Sequence, residues 1–137
     1  MQTLLYQKHI DLNARMVDFA GYQMPIQYSG IVQEHLSVRN TCGIFDVSHM
    51  GEFMVSGENT EAFLNRMTVN DIAILNEGDA QYSAMCYDDG GIVDDILVYR
   101  YNDWFMLVVN ASNLEKDFLW LNKYKPDDVE LVDVSAE

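Results

Sequence analysis

Two adjacent aspartates interrupt the most apolar run of this sequence and are its clearest candidates for chemistry. Asp94 and Asp95 lie within YDDGGIVDDILVYR, and all the remaining residues from Ile92 to Val98 are apolar. Neighbouring side chains of a β-strand point to opposite faces, so one carboxylate is predicted to face the interior or a cleft and the other to face outward. Burial beside apolar side chains would raise the proton affinity of the inward carboxyl, which suits proton transfer or the orientation of a cationic substrate.

Two other interpretations of these aspartates remain open at this point. Both could be solubilising charges that flank a hairpin at the edge of a sheet. They could also join Asp88 and Asp89 as hard oxygen ligands of a metal ion. The ligand positions of a calcium loop would then fall on Gly90 and Ile92, which have no side-chain oxygen. The sequence therefore predicts no metal site.

A second polar stretch, FDVSHMG, places Asp46, Ser48 and His49 close together. A nucleophile with its base would have this composition, but hydrolase chemistry also requires a G-x-S-x-G elbow or a third group that holds the base. Neither is visible in the sequence. The stretch is therefore interpreted as a polar turn in which Asp46 and Ser48 bind local backbone groups. His9 and His35 have no companions at metal-ligand spacing and are assigned ordinary surface or packing roles.

Composition and charge exclude several functional classes. The 137 residues include 8 Lys and Arg against 22 Asp and Glu, which gives a net charge of −14. Such a chain repels phosphate backbones and anionic lipids, so neither nucleic acid nor a membrane is expected as a partner. Cys42 and Cys86 lie outside any CxxC spacing, which indicates neither a disulfide framework nor a zinc site. Without an export signal or a bilayer-spanning apolar run, a cytoplasmic location is expected.

The pattern of apolar residues predicts the elements that must position these groups. Helices are predicted over residues 31–41, from residue 59 or 60 to 67, and over residues 113–124. Strands are predicted over residues 52–56, 80–87, 92–101, 104–110 and 129–134. Residues 88–91 and 102–103 tolerate positive φ and are predicted to connect consecutive strands as hairpins. This order indicates the α+β class, an antiparallel sheet with flanking helices, and no internal domain boundary.

The helix predicted over residues 113–124 is amphipathic and carries several charged residues. Its apolar side is predicted to consist of Leu114, Phe118, Leu119 and Leu121. The side chains predicted to face outward are those of Glu115, Lys116, Asp117 and Lys123. Pro126 ends the helix, because proline cannot continue one.

Four segments spread along the chain carry a more specific signal. They read RMVDFAGYQMPIQY, EHLSVRNTCGIFDVSHMGEF, YSAMCYDDGGIVDDILVYR and FMLVVNASNLEKDF. In order and spacing, these segments resemble the signature blocks of the aminomethyltransferase family, the T-protein of the glycine cleavage system. The resemblance extends from about Leu5 to Asp133. It implies a T-protein-like folate-binding domain of which residues 1–137 are the amino-terminal part, with the remainder of the enzyme absent.

The resemblance also implies a reaction and its partners. Members of the family transfer the aminomethyl carbon from the lipoyl arm of H-protein to tetrahydrofolate and release ammonia, without a metal. We expect the chain alone to have little or no activity, because later sequence supplies much of the pocket. The alternative is a folate-binding or assembly module of the same fold that lacks transferase activity.

The resemblance assigns roles to individual residues of this sequence. The second aspartate of the GGIVDD block, Asp95, falls on the position that is critical for catalysis. Asp94 is its supporting neighbour. The other positions that match folate-pocket residues are Met50, Tyr82, Leu97, Val108 and Asn110.

Overall fold

The computed structural model describes residues 1–135. The chain consists of two compact units, Met1–His49 and Met50–Glu137. The sequence predicts no boundary here, because no proline-, glycine- or serine-rich linker separates the two units. A short turn at residues 48–50 leads directly into a strand. The two units are therefore described separately.

The first unit combines a two-stranded antiparallel hairpin with two helices. Its elements are α1 (Tyr6–Asp11), β1 (Arg15–Phe19), β2 (Tyr22–Gln27) and α2 (Ile31–Asn40). Ala20 and Gly21 join the strands with φ of 52° and 81°, the paired positive values of a tight hairpin turn. Three backbone N–H groups at residues 28–30 donate to the Glu34 carboxylate and fix the start of α2. The helix predicted over residues 31–41 is confirmed, whereas α1 and the hairpin had not been predicted.

The second unit is a five-stranded antiparallel sheet with two helices. Its elements are β3 (Gly51–Gly57), α3 (Thr60–Met67), β4 (Ala80–Cys86), β5 (Ile92–Arg100), β6 (Trp104–Val109), α4 (Leu114–Tyr124) and β7 (Val129–Asp133). The strand order is β4-β5-β6-β3-β7. Each predicted strand and helix of this unit is present within one or two residues of its expected ends, and the α+β class is confirmed.

One face of this sheet forms the hydrophobic core. Side chains alternate between buried and more exposed along β3, β4 and β6, as expected when only one face of a sheet is covered. Phe53, Leu107 and Leu121 are fully buried, and α3 contributes Phe63 and Leu64 to the same cluster. Burying a side chain of this size contributes about 2 kcal/mol, so these contacts hold both helices on the sheet.

None of the helices in residues 1–135 is long and apolar enough to cross a lipid bilayer.

Gly57, the last residue of β3, is required by its backbone conformation and by its close neighbours. Its φ is +120°, and an added Cβ would collide with the carbonyl oxygen of Asp128 and lie 3.1 Å from Cα of Val129. Both neighbours are backbone atoms and cannot rotate away. We expect Gly57→Ala to lower the free energy of unfolding by about 2 kcal/mol or more, measured by urea denaturation and tryptophan fluorescence.

Gly78 provides the matched control for this substitution. It also has positive φ, +85°, but an added Cβ would meet no atom within 4 Å. Gly78→Ala should therefore cost only the conformational strain, about 1 kcal/mol. Equal losses for the two variants would contradict the steric explanation.

Candidate functional site

A row of three side chains crosses the face of the sheet opposite the core. Tyr82 of β4 pairs with Leu97 of β5, and Leu97 pairs with Val108 of β6. Directly opposite residues of an antiparallel pair project to the same face, so the three side chains lie side by side. Tyr82 is 66% exposed, whereas Leu97 and Val108 are half-buried. The row is an open aromatic and aliphatic surface.

Asp95 lies beside this row, two residues before Leu97 on β5, and is held there by two neutral donors. Its carboxylate accepts a hydrogen bond from the Tyr82 hydroxyl at 2.8 Å and another from Nδ2 of Asn110 at 3.0 Å. The bond to Asp95 raises the pKa of Tyr82, so the hydroxyl keeps its proton and remains a donor. Asp95 is exposed and has no cationic partner within residues 1–135. Its charge is thus oriented by the protein and left available to a ligand.

Asp94 faces the opposite side of the strand, as the alternation of side chains predicts. It is only 7% exposed, and its Oδ1 accepts a hydrogen bond from the Asn110 amide at 3.1 Å. Burial alone would raise the pKa of Asp94, but hydrogen bonds from Asp117, Asn113 and Asn110 outweigh it and hold that pKa below its ordinary value. The prediction that burial raises the proton affinity of the inward carboxyl is therefore wrong for Asp94.

The carboxyl with raised proton affinity is that of Asp117, a residue predicted to lie on the solvent side of its helix. Asp117 is fully buried. Burial, followed by the hydrogen bond and the negative charge of Asp94, raises the pKa of Asp117 to about 8. The prediction for Leu119 is also wrong, since that side chain is 58% exposed. The apolar side of α4 includes Leu114, Phe118 and Leu121 as predicted, and Trp120 and Tyr124 also pack against the core.

All the residues assigned to the site from the sequence belong to the second unit. Asn110 directly follows β6, and its amide links the two aspartates of β5. Met50 directly precedes β3, the strand that pairs with β6, and is half-buried. A cavity of about 470 Å³ in the same unit is lined by residues such as Gly57, Lys125 and Asp128, and by none of the residues assigned to the site. The candidate site is therefore an open surface.

The chain matches the model of one protein family, the GCVT N-terminal domain, over residues 5–137. It belongs to this family. The aminomethyltransferase of Chloroherpeton thalassium is 56% identical over 127 residues, which cover 92% of this chain and 35% of that protein. The aminomethyltransferase of Anoxybacillus flavithermus is 51% identical over 137 residues, which cover 99% and 38%.

A solved structure shows the same fold. The crystal structure of glycine cleavage system aminomethyltransferase T from Bartonella henselae is similar with a TM-score of 0.89 and 34% identity, covering 98% of this chain and 38% of that one. The resemblance to the aminomethyltransferase family is confirmed, and the chain corresponds to an amino-terminal portion. It spans 35% to 38% of the length of these relatives.

The other polar stretch of this family member, around Asp46, forms a buried network in the first unit. Asp46 accepts hydrogen bonds from Nε2 of His9 and the hydroxyl of Thr3, both at 2.8 Å, and from the backbone N–H of Ser48 at 2.9 Å. The other ring nitrogen of His9 bonds the Tyr28 hydroxyl at 2.7 Å. The predicted polar turn is confirmed for Asp46, whereas the Ser48 hydroxyl binds no backbone group within residues 1–135. Sequence spacing did not reveal the pairing with His9, because 37 residues separate the partners.

This network gives Asp46 a role in stability. Burial alone would raise the pKa of Asp46, but hydrogen bonds led by that from His9 hold it well below its ordinary value. Such a carboxylate stabilises the fold above pH 4 and loses that contribution as the pH falls. We expect Asp46→Asn to destabilise the first unit by about 2 kcal/mol at pH 7, measured by amide hydrogen exchange of residues 1–49.

The exposed Asp18 of β1 is the control for this measurement. Asp18→Asn should leave exchange in residues 1–49 unchanged. The difference between Asp46→Asn and the unsubstituted chain should shrink as the pH falls below about 4. A difference that stays constant from pH 7 to pH 3 would contradict the assigned role of the charge.

Proposed function

We propose that this chain supplies the Asp95 side of a tetrahydrofolate site in a glycine-cleavage aminomethyltransferase. That enzyme moves the aminomethyl carbon from the lipoyl arm of H-protein to tetrahydrofolate and works in the cytoplasm. The observation that carries this proposal is the Asp95 carboxylate, oriented by Tyr82 and Asn110 beside the row of Tyr82, Leu97 and Val108. Membership of the family and the names of the relatives support the same reaction.

The row beside Asp95 has the chemistry that a pterin ring requires. A flat, half-polar heterocycle stacks on aromatic and aliphatic side chains and needs a small number of polar groups at its edge. Leu97 and Val108 offer the apolar surface, and Tyr82 adds an aromatic ring at its border. Asn110 and Asp95 supply the polar edge. Met50, directly before β3, extends the apolar surface.

Asp95 acts on the charge that develops during transfer. A folate nitrogen attacks the aminomethyl carbon, the bond from that carbon to its leaving group breaks, and the attacking nitrogen becomes positively charged. A carboxylate fixed beside this nitrogen stabilises the charge and accepts its proton. Because Tyr82 and Asn110 already orient Asp95, no reorganisation is needed when the charge appears. The aminomethyl carbon thereby loses the first of its two leaving groups, and a second folate nitrogen then attacks the same carbon and displaces the other. The two protons lost by the folate nitrogens are taken up by the departing ammonia and by the lipoyl sulfur. The products are methylenetetrahydrofolate, ammonia and the dihydrolipoyl carrier, and no metal takes part.

The open surface also explains why we expect little activity from the chain alone. Ligand sites bury most of their ligand, whereas this row is covered on one side only. Residues beyond the matched third of the relatives would complete the pocket and bind H-protein. The chain alone should therefore bind tetrahydrofolate weakly and release no ammonia from loaded H-protein.

Calorimetric titration with tetrahydrofolate tests the proposed site. It should be carried out on this chain and on a full-length protein that carries the segment, each with its Leu97→Asp variant. Tight binding to the full-length protein, lost in the variant, is the expected result. Absence of binding to either protein would overturn the folate site. Binding without ammonia release would overturn the transferase and favour the non-catalytic folate-binding module.

A further inference from the structure

The buried carboxyl of Asp117 is an unusual feature that the proposed reaction does not use. Asp117 is fully buried, and neither oxygen has a hydrogen-bond donor when all aspartates are ionised. The cation beside it, Nζ of Lys116, is 3.8 Å from Oδ1 and donates instead to the carbonyl oxygen of Val93 at 2.6 Å. An ionised Asp117 would thus be a buried charge without a compensating hydrogen bond, which is strongly unfavourable.

Asp94 also has a buried oxygen without a hydrogen-bond donor. Its Oδ2 is buried and also lacks a donor when both carboxyls are ionised. The pKa of each carboxyl is shifted by a hydrogen bond with the other, and two carboxyls can form such a bond only when one of them is protonated. A single proton therefore satisfies both side chains.

The neighbouring groups decide which of the two carries that proton. Asn110 donates to Asp94 at 3.1 Å and stabilises its ionised form, whereas no amide within residues 1–135 donates to either oxygen of Asp117. The charged groups that act on Asp117 are Asp94 and, from the other face of β5, Asp95, which favour its neutral form, and Lys116 of α4, which opposes them. Asp117 is thus the protonated partner, and Asp94 remains the anion.

The Asn110 amide connects this pair to the candidate site. Its Nδ2 lies 3.1 Å from Oδ1 of Asp94 and 3.0 Å from Oδ1 of Asp95. An amide nitrogen carries two hydrogens, so one can be directed at each carboxylate. The position of Asp94 thereby determines which way the Asn110 amide points, and that amide is one of the two donors that orient Asp95.

We propose that Asp117 is a positioning residue for Asp95, which acts by donating its proton to Asp94 and so fixing the Asn110 amide between the two aspartates of β5. The inference rests on the proposed function of Asp95. When Asp117 loses its proton, two buried negative charges repel each other, Asp94 shifts and the amide no longer orients Asp95. Turnover should then fall at alkaline pH although Asp117 itself does not contact the folate.

The pH profile of a full-length protein that carries this segment tests the proposal. Asp117→Asn keeps a neutral donor toward Asp94 at every pH, whereas Asp117→Ala removes it. We expect kcat of the unsubstituted protein to fall as the pH rises past about 8, and Asp117→Asn to lack that decline. Asp117→Ala should lower kcat about tenfold or more at pH 7, with little change in KM for tetrahydrofolate.

Glu115, an exposed acid of the same helix, is the matched control. Glu115→Gln should reproduce the unsubstituted pH profile. Parallel profiles for the unsubstituted protein and Asp117→Asn would overturn the proposal, as would full activity of Asp117→Ala.

Carboxyl carbon NMR on this chain supplies a readout that does not depend on transferase activity. The Asp117 carboxyl and the Asn110 side-chain amide should titrate with a common midpoint near pH 8, and the amide should stay constant in Asp117→Asn. Independent titrations would overturn the link between the two residues. A common midpoint in a protein whose full-length form lacks transferase activity would support the link and reject the proposed function.

Discussion

Replacing Asp95 by asparagine in a full-length protein that carries this segment is expected to lower kcat by about 10² to 10³-fold. The substitution removes the charge that stabilises the developing cation and the group that accepts its proton. It preserves the size of the side chain and one acceptor for Tyr82 or Asn110. Binding of tetrahydrofolate should change less than tenfold, because the apolar row of Leu97 and Val108 is unaltered.

Ammonia release from loaded H-protein and calorimetric affinity for tetrahydrofolate are the two measurements to compare. Asp103→Asn, an exposed aspartate in the turn between β5 and β6, is the control for a general change in charge. It should keep both activity and affinity. A parallel loss of both properties in Asp95→Asn would show that the residue binds folate rather than acting in the transfer step.

Replacing Asp117 by asparagine is expected to stabilise this chain, and to do so increasingly as the pH rises from about 5 to 8. The pKa of Asp117 is raised to about 8 in the folded state from an ordinary 3.8. The unfolded chain therefore releases this proton at lower pH than the folded chain. Stability from a group of this kind is complete below pH 4 and declines by about 1.4 kcal/mol per pH unit until the folded group also ionises.

Asparagine removes that decline because it has no proton to lose, and its amide can still donate to Asp94. Urea denaturation followed by tryptophan fluorescence at pH 5, 6, 7 and 8 measures the difference. Asp94 does not contribute to it, because its lowered pKa leaves it ionised in both states over this range. Glu115→Gln should show the pH dependence of the unsubstituted chain. Parallel curves for Asp117→Asn and the unsubstituted chain would show that Asp117 is ionised in the fold.

Much of the second unit could be predicted because local signals and burial agree there. The glycines of the turn after Tyr87 and the short turn at residues 102–103 mark two hairpins. Between them, the alternation of β5 placed Asp94 and Asp95 on opposite faces. Family resemblance then added Tyr82 and Asn110 as folate-pocket positions, but only the structure shows that both donate hydrogen bonds to Asp95.

The missed features have physical causes of two kinds. Asp117 follows Leu114 by three residues and precedes Leu121 by four, so helical spacing alone places it on the apolar side of α4. Its charge favoured the opposite assignment, which holds for isolated aspartates but fails when a second carboxyl shares a proton. The pairing of His9 with Asp46 depends on tertiary contact between distant segments, which periodicity cannot detect.

Because Asp94 and Asp95 point to opposite faces, the register of one hairpin determines which of them is exposed. Slipping β5 by a single residue would bury Asp95 against the core and expose Asp94, with no change in sequence. The turn between β4 and β5 prevents this slip: Gly90, at φ +86°, closes it, and the backbone N–H of Tyr87 donates to Gly91. A one-residue insertion in this turn would yield a protein with the same side chains and the wrong aspartate at its surface. The conformation of this turn thus decides which of the two carboxylates is exposed.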